Sequence, residues 1–142
     1  MTPNFIAFCE TRFAAEFPLL FPGIPVMYSN VPVPDTVDTF VCMHVMASED
    51  TMPINLGHEA KSRNVGLIQV DVFTPKDEGA GEAYQMAYGA GMIFKRQDLS
   101  VGTEGLVVFK DPSIQDRGQI RGRHKHMMRI PYRYDFKDFF LP

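Results

Sequence analysis

The sequence has few cysteines and no long apolar run, and each of these absences excludes a class of protein. Only Cys9 and Cys42 occur among the 142 residues. Two scattered cysteines form neither a disulfide framework nor a zinc-binding pattern, so we interpret them as buried free thiols of a protein made in a reducing cytoplasm. No apolar run reaches the roughly 20 residues that span a bilayer. The first residues, Met-Thr-Pro-Asn, are not typical of a signal peptide, so we expect no membrane contact.

Motifs for catalysis and cofactor binding are also missing. The sequence contains no P-loop, Gly-x-Ser-x-Gly or His-Glu-x-x-His motif. The stretch 79–81 (G-A-G) has the start of a dinucleotide fingerprint, but Tyr84 replaces its third glycine, and Asp77 and Glu78 would repel a pyrophosphate. We therefore predict a protein that is not an enzyme, with no catalytic residue and no cofactor.

Two histidines are the only hint of a metal site. His124 and His126 lie two residues apart, so they would share one face of a strand. Two imidazoles can begin a transition-metal site, but the sequence places no obvious third ligand beside them, because Met127 and Met128 are poor ligands for such an ion. We predict no bound metal.

What the sequence does contain is an ordinary globular composition with an uneven charge. Apolar residues make up 45% and charged residues 22%, which predicts a single domain over residues 1–142. The net charge is −3, yet residues 112–142 hold three acids and seven bases, while residues 1–111 hold fourteen acids and seven bases. This asymmetry indicates either nearby nucleic acid or an assembly in which the basic end of one copy meets the acidic body of the next.

The first predicted helix starts at Thr2-Pro3, where threonine suits the N-cap and proline the first helical position. Pro18 and Pro22-Gly23 should end this helix. Three apolar residues would then lie in the exit loop as exposed apolar contacts, namely Leu19, Leu20 and Phe21. The apolar residues of the helix follow helical spacing: Phe5, Ile6, Cys9, Phe13 and Phe17.

A second helix is predicted after Gly81, with Lys95-Arg96 in its last turn. Its apolar stripe comprises Ala83, Met86, Ala87, Ala90, Ile93 and Phe94. The order of elements predicts an α+β class: a mostly antiparallel sheet with two main helices packed on it. The predicted strands span residues 25–33, 37–46, 65–74, 105–110 and 119–135.

Two segments between these strands are predicted as loops. Asp111 to Gly118 is a short one. Ala47 to Asn64 is long and polar, and loops of this length are uncommon in compact domains unless they have a function. We predict that the long loop binds a partner protein through six residues: Glu49, Asp50, Met52, Ile54, Leu56 and His58.

The final predicted strand is basic on one face and apolar on the other, where Tyr132 and Tyr134 lie. The basic face is open to three interpretations: a solvated edge that prevents aggregation, salt bridges to an acidic neighbour or partner, or weak contact with DNA phosphates. Both tyrosines are on the opposite face, so the aromatic interleaving typical of base stacking is missing. We predict electrostatic contacts within a ring or with a partner for Arg121, Arg123, Lys125 and Arg129.

Two stretches carry a resemblance to a known family. They are G-L-I-Q-V-D-V-F-T-P-K-D-E-G-A-G-E-A from Gly66 to Ala83, and R-I-P-Y-R-Y-D-F from Arg129 to Phe136. Together with the helix-first order, they resemble the tail terminator family of siphophages, the group of the lambda-like minor tail protein U. The resemblance implies a structural virion protein, made in the host cytoplasm, that forms a homo-hexameric ring at the head-proximal end of the tail.

Such a ring would cap the tail tube protein, end tube polymerisation and provide the surface that joins a head-completion or connector protein. DNA would pass through its lumen without specific binding. Two alternatives stay open from the sequence. The first is another phage neck or head-completion protein, a stopper or an adaptor. The second is a small nucleic-acid-binding protein, which the basic residues between 117 and 133 suggest.

Overall fold

A computed structural model describes residues 3–28, 39–55, 61–75, 81–120 and 122–137. Two helices and seven strands follow one another along these residues. They are α1 (Pro3–Leu20), β1 (Val26–Tyr28), β2 (Phe40–Asn55), β3 (Lys61–Pro75), α2 (Gly81–Met92), β4 (Asp98–Val101), β5 (Gly105–Phe109), β6 (Ser113–Ile120) and β7 (Arg123–Lys137). Neither helix of the described residues is long and apolar enough to cross a membrane.

The strands form one sheet in the order β1-β2-β3-β7-β5-β4, with β6 also paired to β7. Only β1 and β2 run parallel to each other; the other pairs are antiparallel. The central strand is β7, which pairs with β3 along its whole length. On its other edge, β5 and β6 lie end to end, because β5 pairs with residues 132–136 and β6 with residues 123–129. The predicted α+β class with a mostly antiparallel sheet is confirmed.

Both helices pack on the same face of the sheet, which we call the helix side. Alternation along β7 directs Met128, Ile130 and Tyr132 to this side, where they are buried. Rings from α1 pack against them, and Phe5 stacks on Tyr134 with 4.5 Å between ring centroids. The opposite face, which we call the outer side, carries the alternate residues of β2, β3 and β7.

The polar stretch between Ala47 and Asn64 is not a loop, and this prediction was wrong. Its residues extend β2 to Asn55 and begin β3 at Lys61, and residues 56–60 lie outside the described residues. Ladder pairing overrides the polar composition, because β3 is held between β2 and β7. A register shift between Ala47 and Thr51 marks a bulge in β2. The bulge faces Gly66, where an added Cβ would lie only 2.4 Å from the Met46 carbonyl oxygen.

The predicted loop from Asp111 to Gly118 was also wrong, because Ser113–Ile120 forms β6. The predicted strand over residues 119–135 is divided at a hairpin turn. Gly122 lies in this turn at φ +77°, a conformation that glycine adopts without steric cost. The chain then reverses, and Ile120 pairs with Arg123. The short strand β4 was not predicted at all.

The ends of both helices differ from the prediction. Pro18 lies inside α1, and the helix continues to Leu20, where Phe21 N–H donates to the Phe17 carbonyl at 2.9 Å. Leu19 and Leu20 therefore belong to the last helical turn. The second helix ends at Met92, so Lys95-Arg96 lies beyond it.

A long-range hydrogen bond holds the chain just beyond the end of α2. Arg12 of α1 donates to the Ile93 carbonyl oxygen at 3.1 and 3.2 Å, which satisfies an acceptor that the helix leaves open. Arg96 then adopts a left-handed φ of 52°, which turns the chain towards β4.

Candidate assembly surfaces

An apolar groove of about 600 Å³ lies between the end of α1 and the exposed face of α2. Its rim includes Leu20, which is 50% exposed, and Tyr84 and Tyr88, which are 51% and 50% exposed. Exposed apolar surface of this kind marks sites of protein interaction. The groove is lined by Leu20, Phe21, Tyr84, Gln85, Tyr88, Gly89 and Met92.

Gly89 allows the groove to form. A Cβ at this position would lie 2.5 Å from the ring of Phe21, so only glycine lets the ring rest against α2. Phe21 is consequently half-buried, whereas Leu19 beside it is 76% exposed. The exposure predicted for Leu19 and Leu20 is confirmed, although they end a helix and do not lie in a loop.

Sequence reasoning missed the contribution of α2 to the groove. Tyr84, Tyr88 and Met92 follow one another at intervals of four residues, so they share one helical face. This face is distinct from the predicted core stripe, whose members Ala83, Met86, Ala87, Ala90, Ile93 and Phe94 are all buried. The sequence did contain a signal for this contribution. The helix has a second apolar stripe, although its first stripe already faces the core.

The predicted partner-binding residues lie on the hairpin of β2 and β3. Met52 and Ile54 are exposed in β2, and Glu49 and Asp50 are within the strand at its bulge. Leu56 and His58 lie outside the described residues. Beyond Met43, β2 has no strand partner on its outer edge among the described residues, and Pro53 in this edge limits pairing with further strands. Partner binding at the hairpin stays a prediction.

Buried Asn64 holds the bulge in place. Its side-chain amide donates to the Ser48 carbonyl oxygen at 3.0 Å, and its oxygen accepts from the Tyr132 hydroxyl at 2.8 Å. A buried amide with both functions satisfied fixes its neighbours. The bulge that carries Glu49 and Asp50 is therefore tied to the central strand.

The predicted basic face exists on the outer side of β7, but its residues have partners within the chain. The guanidinium of Arg123 lies 5.0 Å from the centroid of the Phe40 ring. The Lys125 ammonium lies 5.6 Å from the Phe73 ring centroid and 3.7 Å from the Asp71 carboxylate. These cations therefore help to cover the outer side of their own sheet.

Arg129 continues the same arrangement, because its Nε donates to the Gln69 side-chain oxygen at 3.0 Å. Gln69 in turn donates to Asp71 at 3.0 Å. Arg121 lies outside the described residues. Contacts of these cations with a ring neighbour or another partner stay a prediction, with less free charge available than the sequence suggested.

The two histidines have a third candidate ligand that the sequence did not reveal. The hairpin of β6 and β7 brings Asp116 to His124, with 2.8 Å between the carboxylate oxygen and the imidazole Nε2. The Asp116 carboxylate is also 3.9 Å from the Nε2 of His126. The backbone N–H of Gly118 lowers the pKa of Asp116, and burial lowers the pKa of His126. The fold thus supplies a candidate third ligand where the sequence showed no obvious one.

Both thiols are held in their protonated form. Burial raises the pKa of Cys9 to about 12 and that of Cys42 to about 11. Because the thiolate is the nucleophile, neither residue is activated for chemistry. The interpretation of both as buried free thiols is confirmed.

Comparisons with known proteins identify the fold. No protein-family model and no curated protein sequence matches this chain. A solved structure whose name states no function is similar with a TM-score of 0.70 at 20% identity, over 100% of this chain and 99% of that chain. A chain from the virion of a native gene transfer agent (GTA) particle is similar with a TM-score of 0.59 at 17% identity, over 92% of both chains. This protein thus shares its fold, over nearly its whole length, with a chain of a GTA virion.

Proposed function

We propose that this protein is a structural component of a tailed-phage-like particle and not an enzyme. The observation that carries the proposal is the shared fold with a chain of a GTA virion, which extends over 92% of both chains. The exposed apolar groove supports the proposal, since a subunit of a particle needs surfaces that become buried on assembly.

Within such a particle, we propose the role of tail terminator. The resemblance of Gly66–Ala83 and Arg129–Phe136 to that family is the basis. In the fold, the first stretch comprises most of β3 and the start of α2, and the second lies in β7. Copies of the chain would form a homo-hexameric ring at the head-proximal end of the tail. The ring would contact the tube protein on one face and a head-completion protein on the other, with DNA passing through the lumen.

The groove is the surface that we assign to contact between copies. The charge split favours head-to-tail contacts, because residues 112–142 are basic and the rest of the chain is acidic. Such heterologous contacts generate a closed ring when the rotation between copies fits. Leu20 and the two tyrosines of the groove would be buried by the adjacent copy, whereas the in-chain partners of Lys125 and Arg129 limit the electrostatic contribution of the outer side.

Particle assembly tests the role. Without this protein, a phage-like system that encodes it should produce tails of irregular length that do not join heads. An antibody label on complete particles should appear at the head-proximal end of the tail in electron micrographs. A label at the distal tip, or absence of the protein from purified particles, would contradict the proposal.

A pair of leucine variants tests the groove. Leu20→Asp places a charge in the groove and should prevent ring formation, measured by light scattering and electron microscopy. Leu106→Asp is the matched control, because Leu106 is exposed to a similar degree on β5, away from the groove. Both variants should keep the melting temperature of the isolated subunit, since exposed positions contribute little to stability. Equal assembly by the two variants would exclude the groove as the contact.

A stopper or adaptor of the head-to-tail connection is the alternative, because a GTA virion chain with this fold does not by itself define a position in the particle. The antibody label distinguishes the two roles: a stopper or adaptor would remain on tail-less heads, whereas a tail terminator would remain on head-less tails. A nucleic-acid-binding role has less support, since Arg123 and Lys125 face aromatic rings of their own sheet.

A further inference from the structure

The hairpin of β6 and β7 carries a cluster of three potential metal ligands away from the groove. Its members are Asp116, His124 and His126, and their ligand atoms all lie within 4.8 Å of one another. The two imidazole rings are 4.9 Å apart between centroids. Two imidazoles and a carboxylate are a ligand set that divalent transition metals accept.

The backbone builds this cluster from both strands of the hairpin. His124 and His126 are two residues apart on β7, so they share the helix side of the strand. Asp116 is opposite His126 in the ladder, and a register shift between Asp116 and Gln119 brings its carboxylate to both rings. The N–H of Gly118 donates to Asp116 Oδ1 at 2.8 Å, which fixes the carboxylate and leaves Oδ2 directed at His126.

The state of His126 points independently to a ligand. Its side chain is only 2% exposed, and its Nδ1 has no hydrogen-bond partner among the described residues. The other nitrogen, Nε2, is 3.9 Å from Asp116 Oδ2, beyond hydrogen-bond distance. Buried polar groups normally have a partner. A cation between Nε2 and Oδ2 would give Nε2 a partner, because two ligands of a tetrahedral ion lie roughly 3.3 Å apart, given metal–ligand distances of about 2.0–2.2 Å. The ion would not contact Nδ1, which keeps no partner among the described residues.

We propose that Asp116, His124 and His126 form a binding site for a divalent transition-metal ion such as Zn²⁺. Three protein ligands leave at least one coordination position open for water or for a group from another molecule. Asp116 is about half exposed, so an ion can enter from solvent. The bound ion would link β6 to β7 across the register shift and fix the tip of the hairpin.

Metal titration of the full chain tests the site. After treatment with a chelator, the protein should bind one Zn²⁺ or Co²⁺ per chain in calorimetric titration, and Co²⁺ should produce visible absorption bands of a bound ion. The melting temperature should rise with Zn²⁺, because a ligand that binds only the folded state stabilises it. Mg²⁺ should produce neither effect, since it prefers oxygen ligands. Failure of both Zn²⁺ and Co²⁺ to bind stoichiometrically would overturn the proposal.

Matched variants locate the ion. His124→Ala and Asp116→Asn should each weaken Zn²⁺ binding by roughly 100-fold or more, because even outer-shell partners of a metal contribute 10- to 100-fold. Both side chains are more exposed than His126, and circular dichroism checks that the variants fold. His44→Ala is the control, since His44 also lies near a carboxylate, 3.6 Å from Asp71. Unchanged Zn²⁺ binding by His124→Ala and Asp116→Asn, or its loss in His44→Ala alone, would place the ion elsewhere and overturn the assignment.

Discussion

On the helix side of the sheet the packed groups are aromatic rings and aliphatic side chains, whereas on the outer side charges and amides surround a stacked pair of rings. On the helix side, Phe13 stacks on Phe17 with 4.9 Å between ring centroids, and Phe5 stacks on Tyr134. On the outer side, one stacked pair of rings, Phe40 and Phe73, lies beneath cationic side chains. The first side excludes water through burial, and the second covers its rings with the charged groups of its own cations.

This difference determines which surfaces remain for other molecules. The cations Lys125 and Arg129 of the outer side already have Asp71 and Gln69 as partners. On the outward face of the helix layer, by contrast, Leu20 and Tyr88 are half exposed beside an open groove. The sequence predicted a contact surface at the basic face of β7. In the structure, the apolar groove leaves more unpartnered side chains for burial against another protein.

Truncating one aromatic ring on the helix side and one on the outer side should produce the largest difference in the free energy of unfolding between the two sides. Phe13→Ala removes a fully buried ring of the helix side and should lower the free energy of unfolding by about 3–5 kcal/mol, because a cavity remains. Phe73→Ala is the same truncation on the outer side, where the ring is only half-buried. It should cost less than about 2 kcal/mol, in proportion to the smaller apolar area removed. Urea denaturation of both variants measures this, and equal losses would contradict the comparison.

Removing the Asp71 carboxylate, the hydrogen-bond acceptor on the outer side, should lower the free energy of unfolding by less than Phe13→Ala does. Asp71 is buried, and it accepts from Gln69 and lies 3.7 Å from Lys125. Asp71→Ala should cost about 1–3 kcal/mol, because the Gln69 amide would lose its acceptor. Asp71→Asn is the control: it keeps an acceptor oxygen for Gln69 and removes only the charge, so its cost should be smaller. If the alanine variant unfolds at the same urea concentration as the parent, the network does not stabilise the outer side.

The periodic parts of the fold could be predicted from the sequence, because periodicity is a local property. The stripe Phe5–Phe17 of α1 and the alternation in β3 and β7 each define a buried face without knowledge of the rest of the chain. The exposure of Leu19 and Leu20 was predicted from an exit loop after Pro18. They are exposed, but the helix continues for two residues past Pro18, so they lie in its last turn.

The rest of the fold and of the candidate site depends on pairing between strands that are distant in the sequence. Residues 47–55 and 113–120 are polar and contain turn-forming residues, yet both are strands because β3 and β7 supply their ladder partners. The third potential ligand, Asp116, could be found only with the hairpin turn near Gly122 in place, since that turn brings it to His124. Asp71 as the partner of Lys125 likewise required the register of β3 against β7.

The two cysteines provide one reactive probe on each side of the sheet. Cys9 is on α1 at the helix side, and Cys42 is on β2 at the outer side. With pKa values of about 12 and about 11, both thiols are almost entirely protonated at pH 8, whereas a free cysteine has a pKa of about 8.5.

Labelling of the native chain by a thiol reagent at pH 8 should therefore be far slower than labelling in urea. Cys42 should react faster than Cys9, because burial raises its pKa less and its side chain is not completely buried. The variants Cys9→Ala and Cys42→Ala, each with one thiol left, allow the two rates to be measured separately by mass spectrometry. The rate for Cys9 should follow global unfolding, so that it rises with urea in proportion to the unfolded fraction, while the rate for Cys42 should contain a component that urea leaves unchanged.

Raising the pH above about 9 should speed both reactions, since the unfolded chain releases its thiol protons at a lower pH than the folded chain and becomes favoured. Equal rates for the two thiols at pH 8 would mean that the outer side excludes reagent as fully as the helix side does, and the distinction between the two sides would fail.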